Sequence, residues 1–204
     1  MTMEQFSSNE IDVLREFVNV GTAHAATAMS RLIDRKVDVA VPQLNIVPIA
    51  RVPEILGGPE TSIVGIYFKV SEDIAGSILL FFEQKTANSL LDLLIPIPRS
   101  ASKNGFDSLE ISALMEMGNI LANSYINALA KMLDSKILIS VPYISSDSLG
   151  AVIDVLLIEL SMFAENALLM ETEIALSGTS FAGNFIIFPD AASYEKIFKR
   201  AGLR

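Results

Sequence analysis

Two polar trios stand at one spacing in this 204-residue chain: Asp12, Glu16 and Asn19, and, 100 positions later, Ser112, Glu116 and Asn119. On a helix, positions i, i+4 and i+7 fall within about 60° of one another, so each trio predicts a single polar stripe. A Glu–Asn pair supplies one acid, not the two flanking carboxylates that glycoside hydrolysis uses. It also lacks the His of helical Glu-x-x-His metal sites. An Asn carboxamide can both donate to and accept from a water molecule. Holding that water in line with a phosphoryl group is sufficient catalysis where the electrophile and its metal come from another protein. The Glu one turn away could pair with a Lys of that partner. The rival explanation is the solvated side of an amphipathic helix. Two features weigh against it: the same residue types recur, and Asn is a poor interior helix residue.

The elements that must carry these stripes are two long helices. The first is expected from about Asn9 to Arg35, with Ser7 and Glu10 as a capping box; the second spans 107–134, with Asp107 as N-cap and Glu110 at N3. After the first helix, 37–42 and 44–50 read as extended, and 61–70 with 75–83 as a hairpin followed by a short helix at 84–95. After the second, 136–144 reads as a strand, 145–166 as a helix, 167–178 with 180–190 as a strand pair, and 191–203 as a closing helix. Residues 96–106 are the linker-like segment.

The order therefore repeats. Aligned without gaps at an offset of 100, residues 12–42 and 112–142 share Leu14/Leu114, Glu16/Glu116, Asn19/Asn119, Ala28/Ala128, Asp34/Asp134, Lys36/Lys136, Val41/Val141 and Pro42/Pro142. Chance would give roughly two such identities, and a duplicated unit explains the excess. The expected fold class is α+β: duplicated helix–strand units in a pseudo-twofold single domain, 1–204, with a mainly antiparallel sheet and long helices packed on it. The halves are placed at about 7–95 and 107–203.

Composition removes several function classes. Cysteine is absent, so thiolate nucleophiles and cysteine metal sites are excluded, and a cytoplasmic chain is expected. A net charge of −9 without a long basic tract argues against nucleic acid as a partner. The chain is 51% hydrophobic, but its richest run, 149–164, is broken by Asp154 and Glu159, so membrane insertion is not expected. The sole histidine, His24, faces Ser124 in the repeat and reads as a surface or packing residue.

The doubled pattern Asp/Ser-x3-Glu-x2-Asn-x22-Pro resembles the CheC–CheX–FliY family of phosphatases in bacterial and archaeal chemotaxis, most of all its two-site, stand-alone members. The resemblance implies hydrolysis of the aspartyl phosphate of the response regulator CheY. Glu16 and Glu116 would pair with a Lys of CheY, and Asn19 and Asn119 would position the attacking water. Asp12 and Ser112 would support the helix face, and Pro42 and Pro142 would shape the adjoining strand. Magnesium would sit on CheY, leaving this chain without a cofactor or metal of its own. Family members also bind the receptor deamidase CheD, for which the segment 146–162 is the candidate surface. A non-enzymatic CheY- or CheD-binding adaptor, or a flagellar switch component, is the alternative.

The two sites differ before the Asn: Gly118 in the second, Val18 in the first. A branched side chain there could hinder a partner's approach unless it turns inward, so the second site is expected to be the more active. Met117, beside Glu116, could touch the partner as well.

Overall fold

Both long helices begin at reciprocal capping boxes. The Ser7 side chain accepts from the Glu10 backbone N–H while the Glu10 carboxylate accepts from the Ser7 N–H, and Asp107 and Glu110 repeat the arrangement. Each cap satisfies donors that a helix start leaves orphaned, worth about 1 kcal/mol. The computed structural model describes residues 6–95, 105–160, 166–176 and 178–203. Most of the linker-like segment 96–106, and residues 161 and 162 of the 146–162 segment, lie outside the described residues.

The elements run α1 (Ser8–Ile33), β1 (Val37–Pro48), a 3-10 turn (Ile49–Arg51), α2 (Val52–Ile55), β2 (Ser62–Glu72), β3 (Gly76–Glu83) and α3 (Gln84–Leu94). The second series is α4 (Ser108–Met132), β4 (Ile137–Ile139), β5 (Tyr143–Ser148), α5 (Leu149–Leu160), β6 (Asn166–Leu176), β7 (Thr179–Pro189) and α6 (Ala191–Arg200). The long helices also end alike. Asp34 and Asp134 both adopt the left-handed conformation, at φ 54° and 45°, and the next N–H returns to Ser30 O and Ala130 O respectively. Asp tolerates that conformation better than most residues, which accounts for its recurrence at the helix ends. Lys36 and Lys136 lie beyond the helices and pair with Asp38 (3.1 Å) and Glu72 (3.3 Å), not with the helix ends.

The seven strands among the described residues join one antiparallel sheet, ordered β1-β6-β7-β3-β2-β4, with β5 also on β2. The two hairpins, β2–β3 and β6–β7, meet at the centre through β3 and β7. The first strand of each half crosses over: β1 pairs with β6 of the second half, and β4 and β5 pair with β2 of the first. Each half thus completes the sheet of the other.

Two corrections fall in the second half. The stretch 136–144 is not one strand: it breaks between Ile139 and Tyr143. Residues 145–148 are strand rather than the start of a helix, because Ser145 to Ser148 form the ladder that pairs β5 with Gly65 to Ser62 of β2. Long-range pairing overrides the weak strand preference of Ser and Asp there. Helix α5 therefore starts at Leu149, with the Ala151 N–H donating to the Ser148 hydroxyl.

The sheet separates two apolar layers. On one face α1, α3, α4 and α6 cover Val64, Ile66, Phe68, Ile78, Leu80, Phe82, Phe185 and Ile187. On the other, α2 and α5 cover a smaller cluster around Ile63, Leu79, Phe81, Leu169, Ile186 and Phe188. Helices α1 and α4 pack on each other through Tyr125, whose ring meets Phe17 edge-on at 6.2 Å and whose hydroxyl lies 3.1 Å from Thr22 Oγ1.

Candidate active site

Inward-facing residues set the orientation of each stripe. On α1, Leu14, Phe17, Val18 and Gly21 are buried, and on α4, Leu114, Met117, Gly118 and Leu121 are. Asp12, Glu16 and Asn19 therefore lie exposed on the opposite side of α1. Ser112 and Glu116 are exposed on α4, and Asn119 is half-buried. The helical spacing brings each trio onto one outward face, as the sequence predicts.

Neither Glu16 nor Glu116 has an ion-pair partner among the described residues. Each is an exposed carboxylate available to a cation from outside. Asp12 lies 3.6 Å from Arg15, but both are more than half exposed, so the pair contributes little. Among the described residues no group of three or more His, Asp or Glu could hold a metal ion. His24 is exposed, one turn beyond Asn19, whereas its counterpart Ser124 is buried and donates to Ile120 O.

Two expectations about the residues between Glu and Asn change. Val18 is only 3% exposed: it packs in the core and presents nothing to a partner. Gly118 is also turned inward, and a Cβ there would meet Ile66 at 2.9 Å. The glycine thus serves helix–sheet packing, and the Gly/Val difference gives no reason to rank the sites. Met117 is fully buried and cannot touch a partner.

The prolines have a common structural place. Between Ala40 and Gln43 strand β1 advances three residues while β6 advances two, Glu173 to Glu171, leaving one extra residue beside Pro42. Between Ile139 and Tyr143 the chain advances four residues while β2 advances three, Val70 to Tyr67, beside Pro142. Proline has no N–H for a ladder and is tolerated at such bulges. At the second break the Ser140 N–H donates to Lys69 O, and the Lys69 N–H donates to the Ser140 hydroxyl.

One residue near the stripe was not singled out by pattern. Asn123, one turn after Asn119, donates from Nδ2 to both the main-chain oxygen and Oδ1 of Asn119, each at 2.9 Å. Its counterpart in α1 is Ala23. The signal was available as a difference between the copies rather than an identity.

The family model described as CheC-like matches twice, at residues 10–46 and 109–146, each match holding one stripe and the strand after it. The chain is also 34% identical, over 95% of its length and 94% of the relative's, to a Bacillus subtilis protein named CheY-P phosphatase CheC. The chain belongs to the CheC-like family. A second relative, the flagellar motor switch phosphatase FliY of Bacillus subtilis, is 28% identical over 69% of the chain but 36% of its own length. Among solved structures, Thermotoga maritima FliY superposes with a TM-score of 0.74 at 18% identity, covering 97% of this chain and 98% of that one. The FliM middle domain from H. pylori gives 0.69 at 13% identity, covering 96% and 99%. At those identities the likeness is one of fold, and the fold alone does not separate phosphatase from switch component.

Proposed function

We propose that the protein is a chemotaxis phosphatase that hydrolyses the aspartyl phosphate of phosphorylated CheY. The observation that carries this reading is the pair of outward Glu-x-x-Asn faces in a chain related over nearly its whole length to a CheY-P phosphatase. The carboxylate of Glu16 or Glu116 pairs with a Lys beside the phosphorylated aspartate and docks the helix. The carboxamide of Asn19 or Asn119 then holds a water in line with the phosphorus. The water oxygen forms the new P–O bond, and the bond to the aspartyl oxygen breaks. Inorganic phosphate leaves with the water's oxygen, and the carboxylate of CheY is restored. Magnesium stays with CheY in this scheme, and the chain's own contribution is orientation. Asp12, Ser112, Pro42 and Pro142 have supporting roles, the acid and the hydroxyl on the helix face, Pro42 at the bulge in β1 and Pro142 at the break between β4 and β5.

Phosphate release from phosphorylated CheY tests the reading with the wild type, Asn19→Ala, Asn119→Ala and the double variant. The double variant should lose at least about 10²-fold in rate, as misplacement of a reacting group typically costs. Wild-type acceleration by the double variant would refute the mechanism. A CheY-binding adaptor would have no use for either Asn.

A second reading concerns CheD. On α5, Val155 and Ile158 are 61% and 79% exposed, and Tyr143 of β5 is 69% exposed. Val155 and Tyr143 border a groove of about 470 Å³ lined in part by Tyr67, Leu79, Val152 and Leu156. Exposed apolar residues beside a groove support CheD docking on the described part of 146–162. Val155→Asp with Ile158→Asp should abolish CheD binding in a pull-down; retained binding would move that surface elsewhere. No helix among the described residues is long and apolar enough to cross a membrane. The proposed CheY substrate implies a cytoplasmic location.

A further inference from the structure

The hydrogen bonds of Asn123 separate the two sites. Both hydrogens of its Nδ2 are committed to Asn119, one to the main-chain oxygen and one to Oδ1, each at 2.9 Å. This arrangement determines the orientation of both carboxamides. If the Asn119 amide were reversed, two NH2 groups would face each other, so Oδ1 must turn toward Asn123 and Nδ2 outward. Asn119 is left with two free N–H donors and one open lone pair on Oδ1, in a fixed direction. The terminal torsion of an Asn is otherwise broad and roughly twofold, so an unanchored carboxamide visits many directions. Asn19 is in that situation: Ala23 stands where α4 has Asn123, Asn19 is exposed, and its carboxamide has no hydrogen-bond partner among the described residues.

We propose that Asn123 is a positioning residue that holds the Asn119 carboxamide in its working orientation and makes the α4 site faster than the α1 site. The inference rests on the phosphatase reading. Asn123 acts through Asn119 without touching the phosphate, so its effect belongs in the chemical step and not in docking, which Glu116 provides.

Single-site proteins test it. In an Asn19→Ala background only the α4 site remains, and there Asn123→Ala should lower kcat about three- to tenfold, the worth of one neutral hydrogen bond. KM for phosphorylated CheY should stay the same. Asn123→Asp, which keeps the shape and loses the donors, should not rescue the rate. In an Asn119→Ala background only the α1 site remains, and Ala23→Asn should raise its kcat by a similar factor. Side-chain amide NMR of the free protein gives a readout independent of turnover: the Asn119 NH2 pair should gain mobility in Asn123→Ala, with the Asn19 pair unaffected. An unchanged kcat in Asn19→Ala/Asn123→Ala, or a loss that appears in KM instead, would overturn the inference. Failure of the wild type to release phosphate at all would overturn the phosphatase reading itself, and with it the catalytic part of this proposal.

Discussion

Tyr125 of α4 lies in the space that a side chain on Gly21 of α1 would fill: a Cβ at position 21 would clash with Cδ1 of the ring and stand 3.1 Å from the Tyr125 Cα. Thr22 donates its hydroxyl hydrogen to Val18 O at 2.7 Å, so the Tyr125 hydroxyl donates to Thr22 Oγ1. Burial raises the Tyr125 pKa, with the Thr22 bond opposing it, and the phenol remains a donor at neutral pH. The bare backbone of Gly21 therefore sets how closely the two site-bearing helices pack.

Gly21→Ala should be destabilising by about 1–3 kcal/mol, the range for overpacking a filled core. Thermal unfolding should show it as a lower Tm. The cost should shrink when the ring is absent, so a double-mutant cycle with Tyr125→Leu should give a clear coupling energy. An additive cycle would mean that the two residues do not oppose each other.

Val18→Gly separates packing from partner access. Val18 is buried among the inward-facing residues of α1, so its removal leaves a cavity and a glycine in a helix interior. Stability should fall by about 3 kcal/mol. Phosphate release by the α1 site, measured with Asn119→Ala at a temperature where the fold persists, should not rise. A faster α1 site would show that Val18 does obstruct the partner.

Glu16 and Glu116 are exposed carboxylates with no ion pair among the described residues, which suits docking by charge. Substitution of either by Gln in the matching single-site protein should raise KM for phosphorylated CheY about tenfold, as loss of an interfacial charge pair does. The rise should be largest at low ionic strength, because salt already screens the native pair. A KM indifferent to both the substitution and salt would remove the Glu from the docking role.

Asp73 joins the halves at the end of the β2–β3 hairpin. Its carboxylate accepts from the Lys136 N–H at 3.0 Å and pairs with Arg200 of α6 at 3.2 Å, while Lys196 donates to its main-chain oxygen. The Lys136 backbone bond is the largest influence and holds its pKa below the ordinary 3.8; burial opposes it, and the charge and hydrogen bond of Arg200 and the charge of Lys196 add smaller lowering effects. A carboxyl depressed by folding stabilises the native state above its unfolded pKa, and that stabilisation is lost as pH falls through the folded value. Asp73→Asn should lower Tm modestly at pH 7. The gap from wild type should close as the pH drops below 3.8, where the wild-type carboxyl also becomes protonated. A gap that persists in acid would assign the effect to shape rather than charge.

The sequence by itself determined the parts of this protein that depend on local periodicity and caps. The outward position of Glu16, Asn19, Glu116 and Asn119 follows from 3.6 residues per turn, and the helix starts follow from Ser7–Glu10 and Asp107–Glu110. The duplication was legible because it preserves residue types in register. Only the tertiary structure decided which strands pair. Nothing local in Ser145–Ser148 marks a strand, and that assignment comes from the open edge of β2. The crossing of β1 onto β6 and of β4 and β5 onto β2 likewise rests on contacts more than 60 residues apart in sequence. Pro42 and Pro142 stand out in the sequence, yet their reason, one extra residue within β1 and one between β4 and β5, exists only once those ladders form. The difference between the sites was likewise present in the letters, as Asn123 against Ala23. Its meaning required side-chain geometry, because which end of a carboxamide faces its neighbour is settled by the hydrogen bonds it can complete.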